Sequence, residues 1–429
     1  MLLCDDICSI FATMIHIRTI AIVLLMSLLH TQHANAQRHE LLSDQVRSLQ
    51  VIANNKWMAM PVIELNHGTI DISFDDLTHE YHRYMYRLEH CEANWEPSEQ
   101  LFDSEFCQGF ASGNTIDDVT ESVLTNVLYT HYHLQLPNNQ CRMTMSGNYK
   151  LTVYDDNHDE EPILTACFMV VESRMGIGLS VTTNTDLDIN QKHQQVAMEL
   201  RYSGIQVTNP AEQLKTVVLQ NQRWDDARWN AKPQYVMPDR LQWEHCRDYI
   251  FDAGNEYRKF EILSTDVASM GIEHLGWDGE QFHAYPFVAL PRPNYLYDED
   301  ANGAFLLRNS DNFEAEFTSD YMLVHFQLKT NEPLPYEVYV NGQWTYDRFT
   351  ADYRMHYDDE ARLYEAVIPL KLGYYSFQYV MLDTTGRVLP VPSEGNFYQT
   401  ENTYQALVYY REPGGRTDRL VGYQSTTNQ

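Results

Sequence analysis

Four groups of residues carry side chains suited to chemistry, and their spacing decides what each supports. His131 and His133, in Tyr129-Thr-His-Tyr-His-Leu134, lie two apart. On a strand that spacing puts both imidazoles on one face, half of a zinc site. No third ligand is indicated, so they read as ordinary strand histidines. His90-Cys91, followed by Trp95, suggests a thiol–imidazole nucleophile, but adjacent strand residues point to opposite faces and keep the two apart. Asp298-Glu-Asp-Ala-Asn-Gly303 imitates the first half of a calcium loop, with Asp298, Asp300 and Asn302 as oxygen donors before the glycine. Asn309 stands where the bidentate glutamate belongs, so a polar hairpin turn is expected instead. Asp75-Asp76 and Asp225-Asp226 offer the paired carboxylates that glycoside hydrolysis needs. Among 60 acidic residues such pairs arise by chance, and a solvated face is expected for them. H-E-x-x-H, G-x-S-x-G and the phosphate-cradling G-x-x-x-x-G-K-[ST] are absent. No catalytic, cofactor-binding or metal-ligating residue is therefore assigned, and partner-contacting residues are not legible.

The elements that would position these groups are strands. Tyrosines number 29 against 19 glycines, an aromatic bias suited to pleated surfaces. Ile70, Ile72 and Phe74 alternate with Asp71 and Ser73, and Tyr84 to His90 continues the period. Tyr149, Leu151 and Val153 form a third run, and residues 155–158 a turn before Ile163 to Val171. Val196 to Tyr202, Lys215 to Leu219, Met322 to Leu328, Tyr364 to Leu370, Tyr374 to Leu382 and Tyr404 to Arg411 repeat the pattern. Leu290 to Tyr295, with Pro291 and Pro293, reads as an extended connection. Helical periodicity is weak, so the expected class is all-β: tandem immunoglobulin-like β-sandwiches.

At 429 residues the chain exceeds one ordinary domain. The expected division is 1–36 leader, 37–174 first sandwich, 175–312 second β-rich domain and connection, and 313–429 a C-terminal early-set immunoglobulin-like domain with a short tail. In the leader, Arg18 precedes an apolar run from Ile20 to Leu29, and Ala34-Asn-Ala36 suits cleavage, with the start placed at Met14. That predicts an exported mature chain. Five cysteines follow the leader: Cys91, Cys107, Cys141, Cys167 and Cys246. An odd number leaves at least one thiol unpaired; none forms C-x-x-C, and buried free thiols are expected. The formal charge of −30 disfavours nucleic acid and suits either solubility or a basic surface on a partner.

Two resemblances follow from specific residues. Val338 to Trp344, with Asn341-Gly342 read as a tight hairpin turn, resembles the early-set modules found beside glycan-active enzymes. That resemblance implies a sandwich, with a carbohydrate platform of Trp344 and Tyr346 as the alternative. The segment Leu370 to Arg411, with Ser393-Glu-Gly395 leading to Thr400-Glu-Asn402, resembles the end of the type IX secretion system plug family. Further landmarks stand in order. They are Ser73 to Leu77, His90-Cys-Glu-Ala-Asn-Trp95, Tyr129 to Tyr132 with Leu136-Pro-Asn138, and Ser146-Gly-Asn-Tyr149. Beyond them lie Gln220-Asn221 with Arg223-Trp-Asp225, Gly254-Asn-Glu-Tyr-Arg258, Asp300-Ala-Asn-Gly303 and Asp418-Arg-Leu-Val-Gly422. The resemblance implies a non-enzymatic periplasmic protein without cofactor. It would sit on the inner face of the outer membrane and seal a large translocon barrel, with no small-molecule substrate. A secreted glycan-binding protein is the alternative.

Overall fold

The structure, a computed structural model, describes residues 39–157, 160–202 and 204–428. The leader and part of the turn at 155–158 lie outside the described residues. The described residues form one compact unit. Strands dominate it, and the α-helices are single turns such as Asp103–Phe106 and Pro210–Gln213. No helix among the described residues is long and apolar enough to cross a membrane.

Three apolar cores lie between pairs of sheets. In the first, Val46–Ala53, Ile70–Asp76, Thr130–Leu136 and Asp118–Glu121 face the sheet built on Glu161–Val171, Gly147–Asp155 and Tyr84–Cys91. The alternation read from sequence works as predicted: Ile70, Ile72 and Phe74 are buried together with Tyr86, Leu88, Leu151 and Val153. The last core is built around Tyr321–Lys329, Leu363–Lys371 and Gly373–Leu382, with Phe260, Phe326 and Phe377 in mutual ring contact.

The middle core departs from the linear division. Its first sheet holds Gly176–Thr182, His193–Arg201 and Arg240–Trp243. Its second pairs Leu214–Gln220 with Thr403–Tyr410, which in turn pairs with Arg419–Thr427. The chain leaves this core after Ala253, builds the last core, and returns. Tyr404, Ala406, Val408 and Val421 therefore pack with Val196, Val218 and Trp243 rather than with the strands that precede them in sequence. Local periodicity reports that a segment is a strand, but which strand it pairs with is a long-range matter.

Two turn expectations are corrected. Asn341-Gly342 is no primed hairpin: Gly342 is extended at φ −167°, and a 3-10 turn, Gln343–Thr345, follows. Glycine is needed there for room, since a Cβ would come within 2.5 Å of the Trp344 indole nitrogen. In Asp298 to Gly303 only the end turns, closed by Ala304 N–H on Ala301 O, and it joins no hairpin: the following strand Phe305–Leu307 pairs with Gly373–Leu382. All five described cysteines are buried thiols.

Candidate functional site

The buried polar residues concentrate where the cores meet, in three ionic junctions. Between the first and last cores, Lys371 and Asp75 pair at 2.6 Å with side chains 0% and 1% exposed. This corrects the expectation of a solvated Asp75-Asp76 face. Asp75 lies on the outward side of its strand, which the neighbouring core covers, while Asp76 points the other way and accepts from the Tyr84 hydroxyl and Thr78 N–H; periodicity registers neither set of partners. Asp75 also accepts from His131 Nδ1 at 2.7 Å and from the Tyr321 hydroxyl at 2.6 Å. Lys371 donates to Glu316 O and sits 4.1 Å from the centre of the Tyr129 ring. Burial pushes the Asp75 carboxyl up, but Lys371 and His131 together hold it below the ordinary carboxylate range. His131 and His133 do not converge on a metal: His133 pairs instead with Asp118 and Asp71.

The first and middle cores meet around Asp418, whose carboxylate accepts from Ala93 N–H, Lys215 and Arg411. Glu92 binds Arg411 and the Asp418 N–H, and Ser98 donates to its other oxygen. His90 lies beneath, joined to Ser98 and Ser146 O. Gly147 makes this possible: at φ +150°, a Cβ there would meet His90 Nε2 at 2.2 Å. The Tyr409 hydroxyl donates to Asn148, and Trp95 meets Trp224 edge-on at 5.7 Å. Neither indole N–H finds a protein acceptor.

Burial lowers the His90 pKa to about 4, so the imidazole is neutral in the fold. The unfolded chain binds a proton there near pH 6.5. His90 thus contributes stability that is present above pH 6.5 and lost as pH falls toward 4. We expect the urea midpoint to fall over that window, and His90→Gln to flatten the decline; an unchanged slope in the variant would contradict this.

The middle and last cores meet around Glu394, buried beneath Arg258 and Arg292. Arg292 also donates to Glu256 O, Asn255 to Glu394 O, and Tyr295 to the Glu256 carboxylate at 2.6 Å. Beside this junction Asn402 bonds Gln194 and Ala253 O, and Asn221 bonds Asn402 and Thr403 N–H. Asp300 accepts from Tyr257 and Asn302 N–H, using the oxygens a calcium ion would need. Burial raises its pKa to about 7.

The platform residues are inside. Trp344 is 4% exposed and donates to Ser376 O at 3.1 Å, while Tyr346 enters the first core and donates to Leu49 O. Trp344→Phe is expected to cost about 1–2 kcal/mol through the lost hydrogen bond and volume, read in a denaturant melt.

The ordered landmarks, each explicable locally, thus bind one another. His90 to Trp95 meets Asp418 to Gly422, Gly254 to Arg258 meets Ser393 to Gly395, and Gln220-Asn221 meets Thr400 to Asn402. The class this defines is a tandem β-sandwich protein whose cores are locked into one body by buried ion pairs. Residues 46–172 match the Type 9 secretion system plug protein 1st domain. A crystal structure of a hypothetical protein from Parabacteroides merdae is 37% identical, with a TM-score of 0.88, over 91% of this chain and 99% of that one. The chain belongs to the type 9 secretion system plug family. Escherichia coli alpha-2-macroglobulin aligns over 89% of this chain and 34% of its own at 10% identity and a TM-score of 0.14. No curated protein matches.

Proposed function

We propose that this protein is a non-enzymatic periplasmic plug or accessory subunit that seals the inner side of the type IX outer-membrane translocon. Family membership carries a secretion-associated role in the cell envelope. The observation that supports the finer reading is the locking of three cores by Lys371–Asp75, Asp418 and Glu394, since a stopper across a wide water-filled pore must not flex. Bulk and stiffness suffice for that task, and the junction carboxylates and cations satisfy one another instead of facing a cleft. The partner is a large outer-membrane barrel.

Affinity purification of the tagged full chain from gently solubilised outer membranes is expected to recover such a barrel. Recovery of soluble proteins alone, under conditions that keep other envelope complexes intact, would sink the reading. Deletion is expected to make the envelope leakier to small solutes while leaving the barrel present.

A further inference from the structure

Three segments, one from the first core and two from the last, bring exposed apolar side chains together at one place. The hairpin loop between Asp118–Glu121 and Thr130–Leu136 presents Val123, Leu124 and Leu128, with Leu124 100% exposed. Asn126 donates from this loop to Glu280 O, in the turn that joins Trp277 to Phe282. Val123 N–H donates to Phe317 O, in the helical turn Ala315–Thr318 that follows Phe313. Trp277 is 51% and Phe313 65% exposed.

This apex is built rather than frayed. The buried Asp320 carboxylate accepts from both Asn126 and Val127 N–H, at 2.6 and 3.0 Å. Ser122 and Tyr129 close the loop through two hydrogen bonds. Leu124 is held at φ 60°, a left-handed conformation uncommon for a leucine and retained only where its surroundings enforce it. Beneath, Tyr129 and Glu316 O belong to the Lys371 junction, so the loop stands on a fully buried ion pair.

The rim is of one sign. Glu121, Asp278, Glu280, Glu314 and Glu316 are exposed around the apolar tips, and stretches 121–130, 277–282 and 309–318 contain no lysine or arginine. An apolar centre inside a charged rim is the anatomy of a protein-binding hot spot. We propose that this apex is a docking surface for a protein partner carrying an apolar socket ringed by lysine and arginine. The same acidic rim repels anionic lipid headgroups and a second copy of itself, which leaves a basic protein surface as the complement. The inference rests on the plug reading for the setting of the partner but not for its chemistry.

The test places a photo-crosslinking phenylalanine at position 124 of the full chain in cells, with position 236, exposed on the middle core, as control. Alongside it, binding of purified full chain to native outer-membrane fractions is measured for wild type and for Leu124→Glu with Trp277→Ala. The expected adduct is a protein peptide in which basic residues flank apolar ones. The double variant is expected to bind at least about ten-fold more weakly at unchanged melting temperature, and added salt to weaken the wild type. No adduct at 124, an adduct on lipid or on a second copy, or wild-type binding by the double variant overturns the surface. A barrel recovered equally by the double variant removes the surface and leaves the plug reading standing. An adduct at 124 on some other protein with the basic rim does the reverse.

A separate observation concerns two thiols. Cys107 and Cys141 lie on the paired strands Cys107–Gly109 and Cys141–Met143, with sulfurs 3.1 Å apart in a buried site. A disulfide needs them about 1 Å closer. We infer that they close into one in the exported protein, a step that rests on the envelope location. Exchange with the disulfide of an envelope thiol oxidase forms the Cys107–Cys141 bond, and the two thiol hydrogens end on the donor's reduced dithiol. Protein taken from its native compartment and alkylated while unfolded is expected to label at Cys91, Cys167 and Cys246 alone, and at all five after reduction. Labelling of all five without reduction overturns the bridge, whatever the partner proves to be.

Discussion

Lys371→Ala is expected to destabilise the protein by about 3–5 kcal/mol, the range found when one partner of a buried ion pair is removed. The lysine ammonium is wholly enclosed, and its removal strands the Asp75 carboxylate among Tyr321, Tyr129 and His131 with no cation. The carboxylate then loses the interaction that holds its pKa down. In the wild type, Asp75 is a group with a depressed folded pKa. Its stabilisation is present above its unfolded value near 3.9 and is lost as pH falls through the lower folded one. The variant is expected to begin losing stability at higher pH. Urea denaturation between pH 3 and 7 reads both effects. Asp75→Asn added to Lys371→Met is expected to recover much of the loss, because a neutral pair leaves no buried charge. A single-variant loss under about 1 kcal/mol, with an unmoved acid limb, would remove this junction as a lock.

Glu394→Ala is expected to cost about 2–3 kcal/mol, less than the lysine because Arg258 and Arg292 keep partial access to water at 19% and 24% exposure. Its larger effect is on the joint. Two like charges face each other without their carboxylate, and the Arg292 side chain, in the Leu290 to Tyr295 connection, keeps only its bond to Glu256 O. Limited proteolysis is expected to cut there first in the variant and slowly in the wild type. Glu394→Gln, which keeps an acceptor, is expected to fall between them. Equal cutting rates in all three proteins would show that the middle and last cores are held by something else.

The first of these expectations bears on the docking apex as well. Its loop rests on Tyr129 and Asp320, beside Lys371, so loosening that junction is expected to weaken partner binding even though no apex residue changes.

Sequence alone determined the strands and their faces. Ile70, Ile72 and Phe74, or Met322, Val324 and Phe326, alternate because a pleated chain with one buried side has a period of two, and that constraint is local. Membership of the plug family was legible for a related reason. The landmarks are unusual residues in a fixed order, although each yields only a local explanation by itself.

The tertiary structure decided what no local rule contains. Asp75 looks like any solvated acid until Lys371, far along the chain, is laid against it. Trp344 and Tyr346 have the composition of a sugar platform and the positions of core residues. The strands Thr403–Tyr410 and Arg419–Thr427 complete the middle core although another core intervenes in sequence. In each case the deciding energy is burial and charge pairing between segments distant in the chain. Spacing within a segment carries no record of that partner, so the locks became visible only when the cores were seen together.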